Sequence, residues 1–279
     1  MSISIAVLMT CFNRKQSTLA CLHKLAEQTL PPATQVKVYL TDDGSKDGTA
    51  QAVLEAFPDT HILTGDGNLY WSGGMRKAWA EAFKHGHDFY LWLNDDTLLY
   101  PDALARLLET YRALECDDGC VISGSTQDPA TGELTYGGVV RPNPLKPTHF
   151  EWVTPTDAPL PIDTINGNCV LVPHAVTEKI GGLSEAFTHS LGDFDYGLRA
   201  RAAGCSVWLC PGYVGVCKYD HPTKGSWKDS SLSRLERWRV VRQVKSLPPR
   251  EWRVFTQRHA GPLWPAVWAL PYLRIWLGR

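Results

Sequence analysis

Two pairs of adjacent carboxylates stand where an apolar segment of the sequence ends. Asp42-Asp43 follows VKVYLT, and Asp95-Asp96 follows FYLWLN. Adjacent carboxylates repel each other, and burying them without a partner is costly, so a cation would stabilise either pair. Mg²⁺ and Mn²⁺ prefer carboxylate, water and phosphate oxygens, so Asp95-Asp96 would suit a divalent metal ion that carries a diphosphate. Taken alone, the pair also fits a solvated turn in which Asp caps a helix.

Two familiar ligand-binding motifs each fail at one position. Counted from Asp43, the segment matches the first half of a calcium-binding EF-hand loop, but Leu54 occupies the twelfth position, where that loop has Glu. GDGNLY begins like the dinucleotide-binding GxGxxG, but Tyr70 stands in place of the last glycine. The sequence therefore predicts neither a calcium loop nor a dinucleotide site.

Apolar strands alternate with amphipathic helices through the first part of the chain, which predicts an α/β fold with a mainly parallel central sheet. Ligands bind at the carboxyl ends of strands in such sheets, so both acidic pairs are expected at one edge. Strands are predicted at 3–9, 36–40, 61–64 and 89–93. Helices are predicted at 18–28, at 49–57, after GDGNLYWSGG as far as Phe83, and after Pro101-Asp102.

The pattern changes after residue 120. From Cys120 to Val172 the chain has short β-like pieces with many Pro and Gly residues, including YGGVV and NCVLV, which predict an antiparallel extension. A helix around Asp193 to Ala203 and the strand SVWLC follow. After Ser230 the chain is basic, helical in pattern and rich in Trp. We therefore divide it into a domain at 1–228 and a C-terminal helical appendage at 229–279.

Composition limits the classes of protein that this chain can be. Its 279 residues are long enough for a substantial core, and a net charge of -1 gives no support to nucleic-acid binding. The eight cysteines form no CxxC pair, and the first residues do not resemble a secretory signal, so we expect reduced thiols and a cytoplasmic location. No uninterrupted apolar run is long enough to span a bilayer.

Five blocks, in order between about residues 3 and 222, resemble the inverting family 2 glycosyltransferases of the GT-A fold. They are VLMTCFNRKQ, VYLTDDGSKDGT, GNLYWSGGMRKA, FYLWLNDDT and GDFDYGLRARAAG. The resemblance implies a Rossmann-like, metal-dependent nucleotide-diphospho-sugar transferase that uses Mn²⁺ or Mg²⁺. The third and fourth blocks look most like bacterial rhamnosyltransferases and similar O-antigen or capsule enzymes. A nucleoside-diphosphate sugar donor and a glycan or lipid-linked acceptor are therefore the implied partners.

The same resemblance assigns roles to individual residues. Asp96 and His221 would bind the metal ion, and Asn94 stands in place of the first Asp of the family's DxD motif. The residues implied to bind the nucleotide and donor sugar are Thr10, Asn13, Arg14, Asp42, Asp43, Asn68, Trp71, Gly73, Gly74, Asn94, Asp95 and Lys224. The two glycines would let the backbone approach the donor closely.

The resemblance also places the catalytic base. Asp193 in GDFDYG matches the Asp of the family's Glu-Asp motif, and Gly192 replaces the Glu. Asp195 would supply the missing supporting carboxylate, and Trp227 would contact the acceptor. Both acids also suit the first turn of a helix, where the macrodipole favours negative charge.

The C-terminal segment combines Trp and Leu with Arg, and Pro262, Pro265 and Pro271 interrupt it. Trp prefers membrane interfaces and Arg attracts anionic lipid, whereas the prolines oppose one long spanning helix. We expect peripheral attachment to the inner face of the cytoplasmic membrane. A packed helical hairpin or an oligomer interface explains the same residues.

Two other functions remain open at this level. A nucleotidyltransferase also uses paired acids and a metal ion, but CFNRKQS is not the glycine-rich basic loop that such an enzyme usually carries after its first strand. A catalytically inactive GT-A protein that binds glycans or serves as a scaffold would explain Gly192 and Asn94.

Overall fold

A computed structural model of the chain describes residues 2–115, 119–219 and 223–278. The first part alternates strands and helices as predicted. Its elements are β1 (Ile3–Cys11), α1 (Lys15–Ala26), β2 (Thr34–Asp42), α2 (Thr49–Ala56), β3 (His61–Thr64), α3 (Tyr70–Phe83), β4 (Phe89–Leu93), β5 (Leu98–Leu99) and α4 (Ala103–Ala113).

Two predicted helix boundaries in this part are wrong. Helix α1 begins at Lys15, three residues earlier than predicted, so the last three residues of the predicted loop after β1 are helical. Helix α3 begins at Tyr70, so YWSGG forms its first turns and does not belong to the preceding loop. Both glycines of that segment are buried within the helix.

The second part contains shorter strands and the C-terminal helices. Its elements are β6 (Cys120–Gln127), β7 (Leu134–Tyr136), β8 (Gly138–Val140), β9 (Glu151–Trp152), β10 (Leu160–Pro161), β11 (Thr164–Ile165), β12 (Cys169–Pro173), α5 (His174–Ile180), α6 (Gly192–Ala202), β13 (Ser206–Val216), α7 (Arg234–Val241), α8 (Pro249–His259) and α9 (Trp264–Trp276). Strand β13 extends well beyond the predicted SVWLC, because shifts in its register with β6 accommodate Pro211 and Gly212.

The main sheet has the strand order β10-β13-β6-β12-β4-β1-β2-β3. Strands β3, β2, β1 and β4 pair in parallel, as do β6 and β13. Strand β12 lies antiparallel between β4 and β6. The predicted antiparallel extension exists as a small sheet of β11, β8 and β9, but NCVLV, which was assigned to it, forms the central strand β12.

Helices cover both faces of this sheet, and β1 shows why. Its odd-numbered side chains Ile5, Val7 and Met9 pack with α1 and α4, whereas Ala6 and Leu8 pack with α3 and α6. Strand side chains alternate between the two faces, so a strand buried on both reads as a continuous apolar run. All seven described cysteines are buried, in keeping with the apolar segments that contain them.

The C-terminal helices pack on the end of the domain. Helices α8 and α9 form a hairpin around the described 3₁₀ turn at Gly261–Leu263. Buried side chains of the C-terminal helices form a third apolar cluster with Phe187 and Leu198 of the domain. Its other buried members are Val241, Trp252, Phe255, Tyr272 and Ile275. Among the described residues, no helix combines the length and apolar character needed to cross a membrane. The division at residue 228 stays a prediction.

Candidate active site

The loops after β1 and β2 are joined at the carboxyl edge of the sheet. Asn13 donates its backbone N–H to Ser45 Oγ at 2.8 Å and accepts from the N–H of Lys46 at 2.7 Å. The Ser45 N–H in turn donates to Asp42 Oδ1 at 2.8 Å. We call this edge, with the segment 94–97 after β4, the rim. It brings the predicted residues Asn13 and Asp42 together.

Arg14 bridges the two carboxylates that follow β4. Its guanidinium lies 3.2 Å from Asp95 Oδ1 and 2.5 Å from Asp96 Oδ2. Asp95 is buried, whereas Asp96 is partly exposed. Burial raises the pKa of Asp95 to about 7; Arg14 opposes this shift and the adjacent Asp96 adds to it. The predicted acidic pair therefore lies beside Arg14, a predicted donor-binding residue. In this structure Arg14 is the cationic partner of both acids.

Asn94 links two side chains across the end of β4. Its Oδ1 accepts from the Trp71 indole N–H at 2.7 Å, and its Nδ2 donates to Asn168 Oδ1 at 3.0 Å. The amide oxygen that a metal ion would use is thus engaged by an indole. This arrangement explains why an amide occupies the position of an acid, since a carboxylate could not donate to Asn168.

Asp43 organises the loop that leads into α3. Its carboxylate accepts from the backbone N–H groups of Gly67, Leu69 and Tyr70 at 2.9, 3.0 and 3.0 Å. A Cβ on Gly65 would lie 2.3 Å from Asp43 Oδ1, so the loop passes too close for any larger residue. The second acid of the DDG segment thus positions the loop. Its predicted contact with a donor stays a prediction.

The glycines of α3 allow the helix to pack tightly against β1. A Cβ on Gly74 would lie 2.1 Å from Thr10 Oγ1, and the Gly74 carbonyl accepts from Thr41 Oγ1 at 2.8 Å. Gly73 is buried against Leu69. The small size of these residues therefore serves protein packing, and their predicted approach to a sugar stays untested.

Asp193 lies in the first turn of α6. Its Oδ2 accepts from the Gly167 N–H at 3.0 Å and from Asn166 Nδ2 at 3.3 Å, and its Oδ1 accepts from the Phe194 N–H at 2.9 Å. Burial raises the pKa of Asp193 to about 6, although the backbone N–H groups of Phe194 and Gly167 oppose the shift. Segment 166–168 therefore connects the candidate base to the rim.

Gly192 stands next to Asp193, where the resemblance predicts Glu. A Cβ at this position would lie 2.7 Å from Ser72 Oγ of α3. The first turns of α3 and α6 meet here, and the contact leaves no room for a larger side chain. We infer that this contact is a steric reason for the absence of the family's Glu.

Residues 6–136 match the family model described as glycosyl transferase family 2. This part of the chain therefore carries a glycosyl transferase family 2 domain. The predicted family is thereby confirmed, although the model covers somewhat less than half of the chain. The match ends within β7, before the segment that carries Asp193.

The chain is similar to glycosyltransferases of two bacteria. It is 26% identical over 208 residues to the N-acetylglucosaminyl-diphospho-decaprenol L-rhamnosyltransferase of Mycobacterium tuberculosis, in strains CDC 1551 and H37Rv alike. The aligned part spans 66% of this chain and 66% of the relative, just under two thirds. It is also 32% identical over 110 residues to an N-acetylglucosaminyltransferase of Rhizobium leguminosarum bv. viciae, which covers 39% of this chain and 26% of that protein.

A solved structure supports the fold. The mannosyltransferase PcManGT from Pyrobaculum calidifontis, in complex with GDP-Man and Mn²⁺, superposes with a TM-score of 0.55 over 98% of this chain and 70% of the other, at 16% identity. The predicted α/β GT-A fold is confirmed by this likeness and by the mixed, mostly parallel sheet.

Asp195 of the glycosyltransferase faces the C-terminal appendage. Its carboxylate is 0% exposed and accepts from Arg199 Nε at 2.8 Å, Arg258 Nη1 at 2.9 Å and His259 Nε2 at 2.9 Å. Burial alone would raise the pKa of Asp195, but hydrogen bonds from His259, Arg258 and Arg199 together hold it below its usual value. In this structure Asp195 joins α6 to α8, and its predicted role as the supporting carboxylate beside Asp193 stays a prediction.

The remaining predicted residues of the glycosyltransferase are less constrained. Asn68 donates its backbone N–H to Asp66, and Lys224 is exposed. Trp227 is partly buried in the third apolar cluster, and its carbonyl accepts from Arg237 Nε at 2.8 Å. His221 lies outside the described residues. The donor, metal and acceptor roles of all four stay predictions.

Sequence reasoning missed Asn166, Gly167 and Asn168, which connect Asp193 to Asn94. These residues precede β12, which is antiparallel to β4, so the amino end of β12 lies at the rim. The sequence analysis looked for site residues only at the carboxyl ends of parallel strands. The signal available was the NGN segment next to the apolar run CVLV. Gly167 is also required, because a Cβ there would lie 2.3 Å from the Trp71 ring.

A cavity of about 740 Å³ lies away from the rim, beside the last turns of α6. Arg141, Arg201, Arg258 and Leu263 are among its lining residues. The cavity lies along the junction between the domain and the appendage. The candidate catalytic residues Asp96 and Asp193 do not line it, so its size does not bear on the chemistry of the rim.

Proposed function

We propose that this chain is an inverting glycosyltransferase of bacterial surface polysaccharide synthesis, including O-antigen or capsule. It transfers a sugar, with rhamnose as the first candidate, from a nucleoside-diphosphate donor to a lipid-linked saccharide acceptor. The name of the mycobacterial relative, with its lipid-diphosphate acceptor and rhamnosyl product, supports this substrate class. The mannosyltransferase with GDP-Man and Mn²⁺ supports a nucleotide sugar donor and a divalent ion.

One observation carries the proposal. A carboxylate with a pKa raised to about 6 is held beside a rim that carries two adjacent carboxylates and a guanidinium. The segment 166–168 fixes the relation between the two parts through hydrogen bonds to Asp193 and Asn94. Inverting sugar transfer needs a base on one side of the sugar and charge stabilisation for a diphosphate on the other.

The rim carboxylates have suitable chemistry for a divalent cation. Asp95 and Asp96 supply hard oxygen ligands, and two carboxylates exceed the charge of the single guanidinium beside them. We assign Asp96 as a ligand of Mn²⁺ or Mg²⁺, because it is the more exposed of the pair, with Asp95 behind it. When bound, the ion would supply positive charge that stabilises the departing diphosphate.

Donor binding changes the partners of Arg14 in this proposal. Its guanidinium side chain is 41% exposed and already points at the rim carboxylates. A diphosphate beside them would accept from the same fork of N–H groups, since guanidinium binds phosphate in a bidentate geometry. Arg14 would thus pair with the leaving group as well as with the rim carboxylates.

The proposed reaction is a single displacement. An acceptor hydroxyl attacks the anomeric carbon from the face opposite the diphosphate, and Asp193 accepts the hydroxyl proton as the new C–O bond forms. The bond to the diphosphate oxygen breaks with its electron pair, and the nucleoside diphosphate leaves as an anion. The configuration inverts, so no covalent nucleophile is required.

We also propose that the appendage attaches the enzyme to the inner face of the cytoplasmic membrane, near its lipid-linked acceptor. Helix α9 buries Tyr272 and Ile275 in the third apolar cluster and leaves Leu273 and Trp276 exposed. Arg274 lies between them and is exposed. An apolar strip with a basic side chain suits the interface of an anionic membrane.

The decisive experiment compares donor binding and sugar transfer in the Asp193→Asn variant. Calorimetry with a panel of nucleoside-diphosphate sugars and Mn²⁺ should give a donor affinity within about twofold of the wild type, because the amide keeps the side-chain volume. Transfer to N-acetylglucosaminyl-diphospho-polyprenol should fall about 10²–10⁴-fold, because the base is lost.

The exposed carboxylate of Asp157 offers a matched control, and Asp157→Asn should leave both measurements unchanged. Full transfer by Asp193→Asn would move the base elsewhere. A wild-type chain that binds a donor or glycan without transferring sugar would support the inactive scaffold. In a separate assay with a nucleoside triphosphate and a sugar 1-phosphate, formation of the nucleotide sugar with release of inorganic diphosphate would support a nucleotidyltransferase.

A further inference from the structure

Two histidines and a glutamate converge at the edge of the sheet opposite the rim. His61 is the first residue of β3, so it lies at the amino end of that edge strand. Glu81 lies near the end of α3, and His85 follows the helix in the next turn. The helix runs from the rim to this opposite edge, so the cluster is separated from the candidate active site by the length of α3.

The ligand atoms of these side chains have spacings that a single metal ion could use. One nitrogen of each histidine and one oxygen of Glu81 all lie within 4.8 Å of one another. Glu81 Oε1 is 3.6 Å from His85 Nε2. Two ligands on a tetrahedral zinc ion lie about 3.4 Å apart, given Zn–N and Zn–O distances of about 2.1 Å. Only small side-chain movements are needed to close the site.

The hydrogen bonds around the cluster leave the required atoms available. His61 Nδ1 is buried and has no hydrogen-bond partner among the described residues, although an unsatisfied buried nitrogen is costly. Glu81 uses Oε2 for Lys84, at 2.7 Å, and directs Oε1 to His85. His87 is nearby, but its Nε2 is paired with the Tyr39 hydroxyl at 2.9 Å.

We propose that His61, Glu81 and His85 form a zinc site. Two imidazole nitrogens and one carboxylate oxygen suit Zn²⁺, with water in the fourth position. This donor set differs from the all-oxygen rim, which suits Mn²⁺ or Mg²⁺. Bound Zn²⁺ would link the end of α3 to the edge strand β3 and stabilise the folded chain by mass action. The site is independent of the proposed sugar transfer.

The test uses the full chain with saturating Mg²⁺, so that the rim is occupied while Zn²⁺ is titrated. Calorimetry should show one zinc ion per chain, and the same titration should raise the melting temperature. His85→Ala and Glu81→Gln should each weaken zinc binding at least about tenfold, since each removes a ligand. His85 and Glu81 lie at the surface, so both variants should fold.

His149 and Glu151 provide a matched control, because they form a similar exposed pair at 3.2 Å without a described third ligand. His149→Ala should leave zinc affinity unchanged. Co²⁺ should give the visible spectrum of a tetrahedral site in the wild type, and that spectrum should be lost in His85→Ala. No zinc-dependent stabilisation of the wild type, or unchanged binding in His85→Ala, would overturn the proposal.

Discussion

Three carboxylates show how burial and hydrogen-bond partners together shift the pKa of an acid. Burial raises the pKa of Asp95 and Asp193 to about 7 and about 6, because backbone donors or one arginine offset only part of the desolvation. Asp195 is at least as buried, yet hydrogen bonds from His259, Arg258 and Arg199 lower its pKa. The same side chain can thus be a candidate base or a structural anion.

The raised pKa of Asp193 predicts the acid limb of the pH profile. The base must be ionised to accept a proton, so transfer at saturating donor and Mn²⁺ should fall about tenfold per pH unit below about pH 6. The measurement is the initial rate of transfer between pH 5 and 8. If the residual activity of Asp193→Asn shows the same fall below about pH 6, a group other than Asp193 causes it.

Stability should not cause this loss of activity through Asp193 itself. The folded state binds this proton more tightly than the unfolded chain, whose Asp pKa is about 4. Protonation of Asp193 between about pH 6 and 4 therefore favours folding. Urea unfolding measured over the same range distinguishes a chemical effect from loss of the fold.

The residue types at the rim could be predicted, but their partners could not. Asp95 and Asp96 stand out because acids at the end of an apolar segment are unusual, whereas Asp193 was assigned through the family resemblance. The pairing of Arg14 with both rim acids depends on β1 lying beside β4, which the sequence order does not reveal. Asn168 meets Asn94 only because β12 runs antiparallel beside β4.

At the scale of elements, close contacts between α3 and its neighbours position the site. Gly74 brings the helix against Thr10 of β1, and Gly192 brings the start of α6 against Ser72. The first contact places the loop before α3 beside the rim, and the second places Asp193 at the start of α6. The sequence analysis interpreted Gly74 as a contact to the donor and Gly192 as a replacement for the family's Glu. The hydrophobic periodicity of a helix does not predict which element packs against it.

This packing predicts the effect of Gly192→Ala. The new Cβ would lie 2.7 Å from Ser72 Oγ, so the free energy of unfolding should fall by about 1–3 kcal/mol. Adding Ser72→Ala should recover part of that loss, because it removes the nearest atom. Urea unfolding of both single variants and the double variant measures the coupling.

Gly182→Ala serves as the control, because its Cβ would lie 3.5 Å from Trp79, an ordinary contact. It should change stability by less than about 0.5 kcal/mol. If Gly192→Ala matches this control, the contact between α3 and α6 does not exclude larger side chains. The proposed steric cause for the absent Glu would then be wrong.

At the scale of the whole molecule, the appendage has two different faces. One is buried against Phe187 and Leu198 of the domain and is tied to it by the ion pair between Arg258 and Asp195. The other exposes side chains of α9, with Leu273 at 51% and Trp276 at 71%. The packed hairpin, which was the alternative to attachment, is therefore present, and the proposed attachment concerns only its outer face.

Replacing Leu273 and Trp276 together by Glu should abolish binding to vesicles that contain anionic phosphatidylglycerol. The change removes apolar area and adds charge that the lipid surface repels, whereas the buried face of α9 is retained. Co-sedimentation with vesicles measures the bound fraction. Leu145→Glu is the matched control, because Leu145 is 80% exposed but lies in the domain. Equal binding by wild type and the double variant would exclude α9 as the attachment surface.

The central position of β12 has a consequence for the order in which the chain can fold. Strands β4 and β6 are not neighbours in the sheet, because β12 occupies the place between them. A nascent chain that has emerged only as far as residue 136 therefore has two unsatisfied strand edges where the sheet should be continuous. We expect translation to proceed past Pro173 before these edges close, and the same closure brings Asn168 to Asn94.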